Sequence, residues 1–247
     1  MREITIGYSC IEHGNMDTRF GGQKEVLNNM EAYLYFLGLS IEKTAFMNTQ
    51  HGDTIEEVTK DNLKDLPMDG FLCDGLFTTD KDITLAFPLA DCLAISFWNE
   101  NFSAIIHVGR GGILNKIIHK AIGIFLIRGL IGSKNKVKVM ISPYVKKCCY
   151  VFPIEPFYFT KYFQKLYKYL EFSDNDDFCL DLGAAAKDVF SSYASLIEGE
   201  VGIIEQCTCC AKNDNNKRIY FSHVNSNEKR FFGDSPEGRN LAVIKRN

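Results

Sequence analysis

Cys92 and His107 stand in the arrangement best suited to chemistry in this sequence. Both fall between Pro88 and Lys116, where two apolar runs, Leu93 to Trp98 and Ser103 to Ile106, flank the polar turn Asn99-Glu100-Asn101. That pattern predicts a β-hairpin, which sets Cys92 at the start of one strand beside His107 at the end of the next. A thiolate next to an imidazole ligates a borderline metal ion, or acts as nucleophile with its general base. His51, at the end of another expected strand and followed by Gly52, completes a His/Cys/His trio. Three protein ligands leave a fourth tetrahedral position to water or substrate, as in a catalytic zinc site. The same residues also read as a core thiol and two surface histidines, because ligands this far apart carry no local signature. Asp91, next to Cys92, is either a proton-transfer group or the cap of its turn.

The remaining candidates read as structural. Cys207, Cys209 and Cys210 crowd together without a fourth ligand nearby in sequence, so packing or redox sensitivity is expected of them, as of the adjacent Cys148 and Cys149. His119 falls within a helix, and His13 and His223 fall in loops. Gly109, Gly111 and Gly112 follow His107 and open a helix; the turn they form is either an anion cradle or a plain strand-to-helix connection.

Strands are expected over residues 3–8, 44–48, 55–58, 83–87, 136–142, 202–207, 219–222 and 241–245, from apolar alternation or short apolar runs between turn residues. Helical spacing appears over Lys24 to Leu37, where Gly38 suits the C-terminal cap, and over Ile113 to Arg128. A further helical face is expected from Phe157, Phe163, Leu166 and Leu170, and another helix opens at Cys179-Leu180-Asp181-Leu182. The acidic run Asp174 to Asp177 reads as a solvated loop. Strands interleaved with three or four helices predict an α+β fold of layered sheets with helices outside. Residues 1–247 show no repeat, linker or boundary and read as a single domain.

With 46% hydrophobic residues the chain can build a substantial core, and a net charge of -3 gives no footprint for nucleic acid. The opening residues carry charges where a signal peptide needs an apolar core, and no run is long enough to span a membrane. A cytoplasmic protein is expected. Nine cysteines then read as reduced thiols rather than a disulfide framework.

An ordered set of short motifs runs through the chain: Gln50-His51-Gly52, Cys73-Asp74-Gly75-Leu76-Phe77-Thr78-Thr79, Ala90-Asp91-Cys92, His107-Val108-Gly109, Cys149-Tyr150, Leu180-Asp181-Leu182, Cys207-Thr208, Phe221-Ser222 and Gly238-Arg239. In this the sequence resembles the family labelled multicopper polyphenol oxidoreductases, or laccase-domain proteins, and read as zinc-dependent purine nucleoside phosphorylases. The resemblance implies a layered α/β/β/α sandwich of mixed sheets, similar to the catalytic domain of cytotoxic necrotising factor toxins. It implies zinc held by His51, Cys92 and His107, with Asp91, Cys92 and His107 catalytic and Gln50, Arg110 and Gly112 at the substrate. It also implies a purine nucleoside and phosphate as substrates, adenosine deamination as a second activity, and a monomer or homodimer. Where the family has His-Ala-Gly-Trp-Arg-Gly, this chain has His107-Val108-Gly109-Arg110-Gly111-Gly112, which moves the guanidinium one position earlier. Three rival readings are a cysteine hydrolase or deamidase using Cys92 and His107, a polyphenol oxidase, for which five histidines are few, and a non-enzymatic binding module whose zinc is structural.

Overall fold

The computed structural model describes residues 3–63, 70–152, 165–172, 178–227 and 237–247. In chain order the first half holds β1 (Ile4–Tyr8), α1 (Gln23–Phe36), β2 (Thr44–Phe46), β3 (Ile55–Glu57), β4 (Gly75–Thr78), β5 (Thr84–Leu89), β6 (Leu93–Trp98) and β7 (Ser103–Val108). There follow α2 (Arg110–Leu114), α3 (Ile117–Ile127), β8 (Lys138–Ile141), β9 (Val151–Phe152), β10 (Leu170–Phe172) and β11 (Phe178–Leu180). The described elements close with α4 (Leu182–Ser191), β12 (Gly202–Ile203), α5 (His223–Asn227) and β13 (Asn240–Arg246).

Two mixed sheets dominate. One has the order β12-β8-β6-β7-β4-β3 and the other β1-β13-β5-β2, with a small β10-β11-β9 sheet besides. The period-2 alternation of strand side chains assigns each strand to two cores. Leu93, Ile95 and Phe97 of β6, with Ala104, Ile106 and Val108 of β7, pack with Ile118, Ala121, Ile122 and Phe125 of α3 and Leu182, Ala186 and Phe190 of α4. Their alternates Ala94, Trp98 and Ile105 pack with Leu85 and Phe87 of β5 and Ala242 and Ile244 of β13, between the two large sheets. The outer face of the second sheet, with Phe46, Ala86, Leu241 and Val243, lies against Val26, Met30, Tyr33 and Leu34 of α1. The expected α+β arrangement of layered sheets with outer helices is what the chain forms.

Some expected elements differ. The helix expected over 113–128 is two helices, because Lys116 adopts the left-handed conformation (φ 60, ψ 36) between α2 and α3. This turn lets α3 lay Ile117, Ile118, Ala121 and Phe125 on the sheet while α2 stays beside His107. Cys179 and Leu180 belong to strand β11 rather than to a helix, and Asp181 is the N-cap of α4, its carboxylate accepting from the Ala184 amide at 2.8 Å. The strand expected over 202–207 shrinks to Gly202–Ile203, since its partner β8 ends at Ile141 and Pro143 offers no amide to continue the ladder. Residues 219–222 form no strand: the side-chain amide of Asn240 bonds both the N–H (3.1 Å) and the C=O (2.9 Å) of Phe221, in place of a neighbouring strand. Of the helical face expected from Phe157, Phe163, Leu166 and Leu170, the first two lie outside the described residues, as does the run Asp174 to Asp177; Leu166 is buried and Leu170 opens β10.

Candidate metal centre and its cavity

The β6–β7 hairpin pairs Leu93 with Val108 and Ala94 with His107, so Cys92 and His107 meet at one end of the six-stranded sheet. His51 arrives on the loop after β2, and one donor atom from each of His51, Cys92 and His107 lies within 4.8 Å of the others. The trio that the spacing allowed is therefore a real cluster, with His107 buried, Cys92 half-buried and His51 exposed.

Asp74 assembles this cluster. Its Oδ1 accepts from the His51 amide at 2.9 Å and lies 2.8 Å from His107 Nδ1, while Oδ2 accepts from the Gly52 amide at 2.8 Å. The Gln50 amide reaches the same carboxylate at 3.2 Å. One buried carboxylate thus anchors the His51 loop and orients His107, which leaves the other ring nitrogen for the trio. Burial pushes the Asp74 carboxyl up, but the bonds from His107, Gly52 and His51 outweigh it and hold the group below its ordinary range. Carboxylate–histidine pairs of this kind fix imidazole orientation in metal sites.

The electrostatics describe a thiolate–imidazolium pair, from which a bound metal ion would displace the imidazole proton. Burial raises the Cys92 thiol, but His107 and His51 beside it prevail and bring it down to about 6. Burial lowers the His107 imidazole, yet the Cys92 sulfur and Asp74 raise it to about 9. A thiolate facing two imidazoles is a borderline-soft N/S donor set.

The glycines after His107 have a steric task here. A Cβ on Gly109 would stand 2.9 Å from Cys92 Sγ, and one on Gly111 would stand 2.8 Å from the His51 carbonyl oxygen. Gly112, expected at the substrate, is buried instead, with its Cβ position facing Ile117 and Val108. The turn is glycine-rich so that three segments can converge, and the five-residue α2 that follows is too short to serve as an anion site.

Asp91 sits in the left-handed region (φ 74) with both carboxylate oxygens engaged. Oδ1 accepts from the Thr208 hydroxyl at 2.6 Å and Oδ2 from the Val224 amide at 2.8 Å, while the Asp91 carbonyl accepts from the Val145 amide at 2.9 Å. Burial raises its carboxyl pKa despite those bonds. The side chain ties two distant segments, and the backbone carbonyl a third, to the residue preceding Cys92.

His51, Cys92, His107, Asp91 and Arg110 share a cavity of about 510 Å³. Gln50 does not: its side chain bonds the carbonyls of Asn48 and Thr49 and lines a neighbouring cavity. Sequence reasoning gave no role to Arg19, Arg239, Tyr150 or His223, all of which line this same cavity. Arg239 lies with its guanidinium 4.1 Å from the Phe20 ring centre, and Arg19 is 5.7 Å from the same ring. Burial lowers the Arg239 pKa. The signal that could have found this arginine was its place after Gly238 in the motif series, where no local pattern assigned it a task.

A mixed α+β scaffold with a His/Cys/His cluster lining an arginine-bearing cavity defines a class of candidate metalloproteins. The chain belongs to the family described as multi-copper polyphenol oxidoreductase laccase, whose model matches residues 2–247. It is 31% identical over 175 residues to a protein of Campylobacter jejuni named purine nucleoside phosphorylase, covering 70% of this chain and 69% of the relative. A protein of the same name from Geobacillus stearothermophilus, YlmD, is 27% identical over 55% of this chain and 52% of its own length. In fold, the chain is similar to the crystal structure of YlmD, with a TM-score of 0.80 at 22% identity over 99% of this chain and 92% of that one. It is equally similar to the YfiH protein of Bacillus licheniformis, with a TM-score of 0.80 at 19% identity, covering 99% and 93% of the two chains. Among the described residues, no helix is long and apolar enough to cross a membrane.

Proposed function

We propose that this protein is a zinc-dependent purine nucleoside phosphorylase that cleaves adenosine, inosine or guanosine with phosphate to the free base and ribose 1-phosphate. The observation that carries the reading is the meeting of three N/S metal donors with arginine side chains in one cavity of about 510 Å³, a volume that suits a nucleoside. The names of the relatives support the substrate class. His51, Cys92 and His107 would hold the zinc, which when bound supplies a Lewis acid beside the reacting groups. Arg19, Arg110 and Arg239 line the same space and offer guanidinium donors to phosphate oxygens. Tyr150 and Leu114 supply apolar wall for the purine. In the reaction the bond between C1′ and the base nitrogen breaks, a phosphate oxygen bonds C1′, and the base leaves with the electron pair and takes up a proton. Asp91 acts as a positioning residue, because both its oxygens are committed to Thr208 and Val224.

Nine cysteines without a disulfide fit a reducing, cytoplasmic setting. A copper oxidase is the poorer reading: of the five histidines only His51 and His107 join a donor cluster among the described residues, and a multicopper centre needs more. The zinc-loaded protein, given inosine or adenosine with and without phosphate, is expected to release base only when phosphate is present and to form ribose 1-phosphate. Ammonia release from adenosine would add deamination to its activities. If no purine nucleoside is turned over, the reading fails. Hydrolytic activity that persists without metal and disappears on alkylation of Cys92 would put a cysteine hydrolase in its place.

A further inference from the structure

Outside the cavity the fold assembles a second cluster, in which one sulfur from each of Cys148, Cys149, Cys207 and Cys210 lies within 4.8 Å of the others. Sequence spacing argued against a site here, since three cysteines crowd into four residues and the other two are adjacent. The tertiary structure resolves both objections. Cys207 and Cys210 are a pair with a two-residue spacer, and Cys209 between them is buried with Cys149, Cys207, Val145 and Val224 but is not one of the four clustered sulfurs. Cys148 and Cys149 sit in a turn whose Cys149 amide bonds the Lys146 carbonyl at 2.9 Å, and that turn presents both sulfurs to the facing loop.

We propose that Cys148, Cys149, Cys207 and Cys210 bind a structural zinc ion, separate from the cavity, that clasps the loop after β8 to the loop after β12. The Sγ atoms of Cys148 and Cys210 are 3.7 Å apart. Four thiolates at about 2.3 Å from one zinc ion stand about 3.8 Å from each other in a tetrahedron. A single disulfide would employ two of the four sulfurs; one ion employs all of them. Cys149 and Cys207 are buried, and the Lys146 amide points at Cys207 Sγ at 3.4 Å, as a donor to an anionic sulfur should. Four soft donors with no open corner select zinc as a structural ion, whereas the His/Cys/His trio keeps a vacant corner. On binding, the thiols release their protons to solvent.

The clasp bears on the cavity through short links. Thr208, between two of the ligands, donates to Asp91 Oδ1, and its amide bonds the Tyr144 carbonyl at 3.0 Å. The neighbouring Val145 amide bonds the Asp91 carbonyl. Tyr150, directly after the adjacent cysteine pair, lines the cavity. The ion would thus fix the two segments that hold Asp91, and through it the approach to Cys92.

Metal analysis of the full chain tests this independently of the cavity. The Cys92→Ser variant is expected to retain one zinc per chain, and its cobalt-substituted form to show the intense sulfur-to-cobalt charge transfer and tetrahedral bands of a four-thiolate site. Cys210→Ser is expected to lose that ion and those bands. If Cys210→Ser does not fold, X-ray absorption of the Cys92→Ser zinc protein decides, with a shell of four sulfurs expected. A Cys92→Ser protein without zinc, or with nitrogen in the shell of its ion, would overturn the proposal. So would a Cys148–Cys210 disulfide found by mass spectrometry in protein isolated under reducing conditions.

Discussion

At the scale of single residues the centre depends most on Asp74, which is not among the proposed ligands. Its carboxylate holds the His51 loop by three backbone amides and His107 by Nδ1, so both imidazoles owe their placement to one buried side chain. Asp74→Asn keeps the size but offers an NH₂ where an acceptor is required, setting donor against donor. We expect the variant to fold and to bind zinc about 10–100-fold more weakly at the trio, as loss of an outer-shell partner commonly does; competition with a chromophoric chelator measures it, and unchanged affinity would remove Asp74 from the account. His51 and Asp91 both lie at positive φ, 58° and 74°. Strain of that sort, about 1–3 kcal/mol per residue, persists only where the surroundings hold it, and at both positions the holding bonds can be named.

At the scale of elements, the β6–β7 hairpin brings Cys92 to His107, while the break between α2 and α3 keeps Arg110 at the cavity and α3 on the sheet. That break costs a left-handed conformation at Lys116, φ 60. Replacing Lys116 by Gly removes the Cβ conflict at a cost in unfolded-chain entropy, and a net gain of up to about 1 kcal/mol is expected. Urea unfolding would show it as a higher midpoint at unchanged slope, and a lower midpoint would mean that the lysine side chain contributes more than its backbone costs.

The whole molecule rests on the core between the two large sheets. Phe87 is fully buried there and also meets His107 edge-on, with ring centres 5.7 Å apart. Phe87→Ala should cost about 3–5 kcal/mol by lost burial and the cavity left behind, together with metal affinity at the trio; loss below 1 kcal/mol would mean the sheets close up over the gap. Buried tyrosines add a pH limit. Burial raises the Tyr8 hydroxyl, and burial with the nearby Cys10 raises Tyr33, in both cases beyond the alkaline range in which an exposed tyrosine ionises. Because the unfolded chain releases those protons first, at about pH 10, their stabilising contribution is complete below that pH and declines as the pH rises above it. The denaturation midpoint should therefore fall as the pH rises above about 10, and Tyr8→Phe should lessen the fall.

Much of the fold was legible in the amino-acid order because its signals are local. The alternation in β6 and β7, the helical stripe of Val26, Leu27, Met30, Leu34 and Leu37, and the turn at Asn99 each act within a few residues, so the hairpin, α1 and the nearness of Cys92 to His107 follow from sequence alone. His51 entered as a ligand through its strand-end position and the family resemblance. Tertiary structure alone decided which groups surround them. Asp74 meets His107 across 33 positions, Thr208 meets Asp91 across 117, and Cys148 meets Cys210 across 62. Such pairs leave no periodic trace, since they depend on how sheets and loops pack. For the same reason Cys209 could not be told from Cys210 in sequence: Cys210 joins the sulfurs of Cys148, Cys149 and Cys207 and Cys209 stays outside that group of four, a difference that exists only once the two loops are brought face to face.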